Sequence, residues 1–334
     1  MRQTLLCVLV ALGLHTVSAQ AEPEFERSPY NDASPEMLPV NHVRIKANVA
    51  QGLDLALEVW APAVPGPLPV VFFQTGLNGL APAPAYDETM NKIAARGIVA
   101  VIPFIDFGAA VNAKILGKRF AGTFDWMQGH LEEALAAKLP AGVAPKINKQ
   151  QFVISGHSSA AKAIMAMYRE VKGKLAGIMF IDPVNSDPTN STLPAIPPEE
   201  TIDDQVPLLV LATGLGKEPG RDWRGYWPPC APDESSGPYF YDHFSSPKWF
   251  VQAADYGHAD MLEGVYLKAL RATRFCKVAE DQNPSAFRTF IAGALTAFVR
   301  TVTHADGTME RYMTEESSIP VKTVLRHEAD GYDR

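Results

Sequence analysis

Three residues far apart in the chain have the types and the order that acyl transfer needs. Ser158 stands in Gly156-His157-Ser158-Ser159-Ala160, between an apolar run at 152–155 and a helix-like stretch at 160–171. A serine at a strand-to-helix junction sits on a tight turn that exposes its oxygen, and small neighbours let the strained backbone pack closely. The motif ends in Ala160 where Gly is usual, and a helix-capping serine would suit the same place. Asp182 ends the apolar run 176–181, and His258 follows the run 249–252 inside Asp255-Tyr256-Gly257-His258-Ala259-Asp260. Serine, acid and histidine in that order, each at the carboxyl end of a strand-like run, predict a nucleophile, an orienting acid and a general base.

The roles follow from proton logic. Ser158 attacks an ester carbonyl, His258 takes its proton and returns one to the leaving alcohol, and Asp182 accepts the other imidazole hydrogen. The oxyanion needs backbone N–H donors. Ser159, next to the nucleophile, supplies one. The other is expected from Gln74-Thr75-Gly76-Leu77-Asn78-Gly79, from either Thr75 or Leu77. Rivals exist for the acid: Glu218 and Asp222 follow the run 208–212. Asp255, His258 and Asp260 resemble a metal set, but no second histidine lies at ligand spacing, so no metal is expected. No Gly-rich phosphate loop is present and no cofactor is expected. His157 is expected to pack and hydrogen-bond within the elbow rather than react.

The elements that must position these groups alternate. Residues 42–49 and 53–60 alternate apolar and polar around Gln51-Gly52, an antiparallel hairpin signal. Short, nearly all-apolar runs follow at 70–73, 98–102, 152–155, 176–181, 208–212 and 249–252, as in parallel strands covered on both faces. Helical stretches are expected at 86–96, 124–138, 160–171, 261–273 and 284–300. The reading is one α/β domain of the α/β-hydrolase kind, a mostly parallel central sheet with a leading antiparallel hairpin and helices on both faces. Residues 301–334 form a polar tail, a strand pair or a flexible end. Two long connections, 183–206 and 214–247, interrupt the pattern. The second carries Trp223, Tyr226, Trp227, Tyr239, Phe240, Tyr241 and Phe244, which either line a cavity for an apolar substrate or close a satellite core.

Residues 1–19 read as a secretory signal, with Arg2, an apolar run at 5–14 and Val17-Ser18-Ala19, and 20–40 as an acidic, Pro-containing linker before the domain at 41–300. Cys7 leaves with the signal. Cys230 and Cys276 remain, an even pair in an oxidising route, expected as a disulfide rather than two buried thiols. Asn190-Ser191-Thr192 is a glycosylation acceptor. The expected destination is secreted or extracellular, or a plastid reached through the secretory route. The 334 residues are 47% hydrophobic and 20% charged, with formal charge −7. That composition excludes a disordered chain, and an acidic chain without a Lys/Arg block argues against nucleic acid or anionic membrane as the main partner. No stretch is apolar for long enough to span a bilayer. Oligomeric state is not encoded in any motif.

Several segments resemble the chlorophyllase family of α/β-hydrolases. They are Gly156-His157-Ser158 followed by Lys162, Ile181-Asp182-Pro183-Val184, Pro229-Cys230-Ala231-Pro232, and Asp255-Tyr256-Gly257-His258-Ala259-Asp260-Met261-Leu262 with Cys276-Lys277 after it. Residues 69–73 and 94–103 are similar to that family's early strands, and the resemblance runs over roughly 41–300. It implies hydrolysis of the phytyl ester of chlorophyll to chlorophyllide and phytol, with the catalytic serine, aspartate and histidine at Ser158, Asp182 and His258. An acid after this strand also resembles platelet-activating-factor acetylhydrolases. The chain departs from the family at Ser159-Ala160-Ala161, where Arg-Gly-Gly is usual, and at Gln74-Thr75-Gly76, where His-Gly is usual. Other expectations are the same chemistry on another apolar ester, such as a lipid or polyester, and a non-catalytic binding protein on this fold.

Overall fold

The structure, a computed structural model, describes residues 28–329 apart from 35, 106–111, 186–193, 223–224, 246 and 305–306. The signal at 1–19, Cys7 and the acceptor Asn190 lie outside the described residues.

Alternation in the first third of the domain produces β1 (Val40–Ile45) and β2 (Leu57–Pro62), antiparallel from Val40 opposite Pro62 to Ile45 opposite Leu57. The expected tight turn at Gln51-Gly52 is wider. Leu53 and Leu55 are buried, and sinking both side chains takes their segment out of the ladder apart from one bridge between Asn48 and Leu53. The apolar runs become β3 (Pro67–Gln74), β4 (Val99–Pro103), β5 (Lys146–His157), β6 (Gly177–Ile181) and β7 (Leu208–Thr213). A small ribbon follows, β8 (Gly220–Asp222) with β9 (Gly225–Trp227), then β10 (Lys248–Ala253) and β11 (Thr323–Glu328). Nine strands form one sheet in the order β1-β2-β4-β3-β5-β6-β7-β10-β11, parallel from β4 to β10 and antiparallel at both ends.

Helices cover both faces, as near-continuous apolar strands require. On one face lie α1 (Asp87–Ala94), α6 (Pro284–His304) and α7 (Gly307–Thr314). On the other lie α2 (Ala113–Ala136), α3 (Ala161–Val171) and the short α4 (Gly237–Asp242). This is the α/β-hydrolase arrangement. Helix α2 begins well before the expected 124, where Asn112 caps it by accepting from the amides of Lys114 and Ile115. Its first turns carry Lys114, Lys118 and Arg119, which hid the apolar stripe. The helix expected from 261 is α5 (Gly264–Thr273). Met261 and Leu262 belong instead to turns that point them into the core and the cleft.

The packed unit extends past 41–300 at both ends. Residues 28–34, expected as linker, dock on α6. Tyr30 stacks on Phe290 at 6.1 Å and donates to the Tyr312 carbonyl. Arg96, fully buried, donates to the Pro29 carbonyl at 2.7 Å and pairs with Asp32 at 2.6 Å. Among the described residues of the tail, one strand, β11, rather than a pair completes the sheet beside β10. Tyr30→Ala should therefore cost about 3 kcal/mol of unfolding free energy, a loss typical of a buried aromatic. Urea unfolding of the two proteins measures it, and a loss under about 0.5 kcal/mol would mean the segment is not part of the cooperative unit.

Candidate active site

Ser158 follows β5 directly and takes φ +61°, the left-handed conformation that favours glycine. The residues around it explain how the turn closes. A Cβ on Gly156 would lie 3.0 Å from Ile164 and 3.2 Å from the Ala160 methyl, so the glycine at the head of the motif makes room for the alanine at its end. A short 3-10 turn, Ser158–Ala160, then leads into α3. Asp182 is the first residue after β6 and is also left-handed, at φ +43°. Its amide donates to the Leu211 carbonyl of β7, and the Val184 amide donates to the Ser158 carbonyl at 3.1 Å, tying the two turns together. His258 lies in the loop after β10. Buried Asp260 holds that loop by accepting from the Gly257 amide at 2.7 Å and the Ala279 amide at 2.8 Å. Burial raises the Asp260 pKa against those bonds.

The three side chains meet. His258 Nδ1 is 2.7 Å from Asp182 Oδ2, and His258 Nε2 is 2.8 Å from Ser158 Oγ. A carboxylate accepts, so Nδ1 carries the proton and Nε2 offers its lone pair to the serine O–H. Asp182 is 2% exposed. Its remaining acceptor capacity is met by Thr213, whose amide reaches Oδ1 at 2.9 Å and whose hydroxyl reaches Oδ2 at 2.8 Å. Thr213 ends β7, one residue beyond the level of Asp182, and nothing in the sequence singled it out. Glu218, the rival acid, lines a separate cavity with Arg221, Arg271 and Lys277, and Cys276 borders both that cavity and the space beside Ser158.

The loop after β3 carries the other predicted donors. Gly76 N–H donates to the Tyr86 hydroxyl at 2.9 Å, and Asn78 N–H donates to Ser159 Oγ at 3.0 Å. With the Gln74 amide oriented so that its oxygen faces donors, it accepts from the amides of Thr75 and Gly79 at 3.3 Å. Among the described residues, Leu77 is left as the amide of this stretch with no acceptor. Leu77 and Asn78 take φ +55° and +52°, a second pair of strained positions beside the first. The Ser159 amide sits in the first turn entering α3, where N–H groups lack an intrahelical acceptor.

These groups open into a cleft of about 260 Å³. Its walls are mostly apolar, including Leu77, Val184, Pro229, Leu262, Leu270 and Phe275, and the disulfide forms part of one side. Cys230 and Cys276 are bonded, with Cα atoms 5.6 Å apart. The aromatic connection contributes little directly. Phe240, Tyr241 and Phe244 are buried under one face of the sheet, and Trp227 packs on Phe275 from behind. Phe240, Tyr241 and Phe244 therefore pack into the core on one face of the sheet, and the described part of that connection reaches the cleft through Pro228, Pro229 and Cys230. The cleft's own aromatic residues are Tyr86 and Phe275. His157 is buried, packs its ring 4.8 Å from that of His258, and bonds to Tyr86 and to the His258 carbonyl.

Chlorophyllase-2 of Arabidopsis thaliana is 29% identical over 262 residues, covering 75% of this chain and 78% of that protein. Chlorophyllase-1 of the same plant is 27% identical over 260 residues, covering 73% and 75%. Chlorophyllase type 0 of Chenopodium album is 26% identical over 263 residues, covering 75% and 72%. The sequence profile of the Chlorophyllase family matches residues 33–327, and with that match the chain belongs to the Chlorophyllase family, a family of carboxylic-ester hydrolases.

Proposed function

We propose that this protein hydrolyses an apolar carboxylic ester through Ser158, His258 and Asp182, with the phytyl ester of chlorophyll as its substrate and chlorophyllide and phytol as products. The observation that carries the reading is the pair of hydrogen bonds that places one imidazole between the serine oxygen and a buried carboxylate. In the reaction, Ser158 Oγ attacks the ester carbonyl as its proton passes to His258 Nε2. The oxyanion forms against the amides of Leu77 and Ser159, the two donors that no internal acceptor competes for. His258 then protonates the leaving alcohol, and water, deprotonated by the same nitrogen, releases the acid. Asp182 holds the productive tautomer and stabilises the imidazolium.

The relatives named chlorophyllases support the substrate, as does the apolar cleft. At about 260 Å³ the cleft is small beside ordinary ligand pockets. It accommodates the ester and a stretch of chain, and it leaves a tetrapyrrole against the rim, where Leu77 and Phe275 are 61% and 42% exposed. That same size, with Ser159-Ala160-Ala161 in place of the family's usual sequence, favours a second reading in which a simpler lipid-like ester is the substrate.

We also place the protein on the secretory route. The disulfide and the amino-terminal sequence support this, and among the described residues no helix is long and apolar enough to cross a membrane. After export the chain should begin at Gln20 by amino-terminal sequencing; an uncleaved Met1 start in exported protein would contradict the assignment.

Ser158→Ala should lower turnover of a p-nitrophenyl ester by at least about 10⁴-fold while the circular dichroism spectrum is kept. Turnover within twofold of the parent would remove the serine from the reaction. Chlorophyll a compared with short-chain and long-chain esters then separates the substrates, chlorophyll being expected to give the highest kcat/KM. A higher value on a simple long-chain ester would favour the second reading. Absence of labelling by a fluorophosphonate would favour a binding protein. Asp182→Asn should reduce kcat on the order of 10⁴-fold through the wrong imidazole tautomer, whereas Glu218→Gln should stay within twofold. The opposite ranking would return the acid to the strand end after β7.

A further inference from the structure

Two buried polar side chains line the cleft without a role in the steps above, Tyr86 and His157. The direction of their hydrogen bonds is set by chemistry. The His258 carbonyl only accepts, so His157 Nε2, 3.0 Å away, carries a proton and donates it. In a neutral ring Nδ1 is then a lone pair, and it accepts from the Tyr86 hydroxyl at 2.9 Å. Burial, and after it the neighbouring His258, hold the His157 pKa well below its usual value, which keeps the ring neutral. The Tyr86 oxygen accepts from the Gly76 amide at 2.9 Å, and burial raises the phenol's pKa, so it too stays uncharged. One directed chain runs from Gly76 through Tyr86 and His157 to the main chain of His258.

Gly76 is fitted to this chain. A Cβ there would lie 3.0 Å from His157 Nδ1 and 3.1 Å from the Tyr86 oxygen, on the bond between them. The Gly76 carbonyl accepts from the amides of Gly79 at 3.1 Å and Ala81 at 3.2 Å. A trans peptide points its N–H opposite to its carbonyl, so fixing that oxygen also aims the Leu77 amide. The loop needs such anchoring, because Leu77 and Asn78 both occupy the left-handed region without being glycine.

We propose that Tyr86 and His157 are positioning residues, whose hydrogen-bond chain locks the Leu77 oxyanion donor and the main chain of the His258 general base into one frame. This rests on the roles proposed above for Leu77, His258 and Ser158. Neither residue touches the reacting atoms in this account. They act by keeping the donor and the base in register, and this matters most when the tetrahedral oxyanion forms.

The test uses the full chain, a p-nitrophenyl ester and an alkyl trifluoromethyl ketone. The serine adds to the ketone carbonyl and its proton goes to the histidine, which leaves an oxyanion where the hole should be. Tyr86→Phe keeps the ring and removes the oxygen. It should lower kcat about 10- to 100-fold, less than the outright loss of an oxyanion donor. KM should stay within twofold and Tm within a few degrees, and ketone affinity should weaken by the same factor as kcat. His157→Gln, which retains a donor and an acceptor, should recover part of what His157→Ala loses. Tyr86→Phe combined with His157→Ala should lose little more than His157→Ala alone, as members of one chain do. A folded Tyr86→Phe enzyme with kcat within twofold of the parent would overturn the proposal. So would a kcat loss that leaves ketone affinity unchanged. If Tyr86→Phe does not fold, the glutamine and alanine variants of His157 decide, and equal activity of the two overturns it. Ser158→Ala keeps the outcomes apart. An active Ser158→Ala defeats the site itself, while an inactive one beside an unimpaired Tyr86→Phe defeats only this inference.

Discussion

A carboxylate removed from water needs donors for its oxygens, and the rest of this site depends on how Asp182 obtains them. Thr213 supplies two and the His258 ring supplies the third. Because two of the three come from the end of the neighbouring strand, the carboxylate cannot turn away without breaking them. The bond it makes to His258 therefore fixes both the tautomer and the direction of the ring. The serine turn and the loop after β3 are arranged around an imidazole held in that way.

The parallel sheet makes such a meeting possible. Strands β5, β6 and β7 end side by side, with His157 level with Ile181 and Ile181 level with Leu211. Ser158 and Asp182 directly follow β5 and β6, and Thr213, two positions past Leu211, is the last residue of β7. Strained backbone collects at the same rim, at Leu77, Asn78, Ser158 and Asp182. Asn78, Ser158 and Asp182 are each held by a bond with a neighbouring element, which is how a fold sustains local conformations that cost free energy on their own. The disulfide performs a related task on the outer wall by joining the segment after β9 to the segment after α5.

Much of this was legible in the sequence because it depends on local pattern. A buried parallel strand must be apolar throughout, so its end is marked, and polar residues at marked ends attract notice. Ser158, Asp182 and His258, which the structure brings together, were singled out that way, and Cys230 with Cys276 by counting. What stayed hidden depends on contacts between distant segments. Tyr86 reads as the first residue of an amphipathic helix, and only the packing of that helix brings its hydroxyl to His157. Thr213 reads as the last residue of a strand. The choice between Thr75 and Leu77 turns on which amides already have acceptors, a matter of three dimensions. Tyr30 and β11 lie in polar surroundings where periodicity is weak, so their docking on α6 and β10 left little trace. The aromatic connection left two readings open, because ring-rich segments pack a core as readily as they line a cavity.

One serine among many has its oxygen against an oriented imidazole. Treating the protein with a fluorophosphonate and mapping the modified residue by peptide mass spectrometry tests this directly. A single adduct is expected, on Ser158, that forms in native protein and not in urea-unfolded protein. An adduct on another serine of the native protein, or equal labelling of folded and unfolded chains, would contradict it.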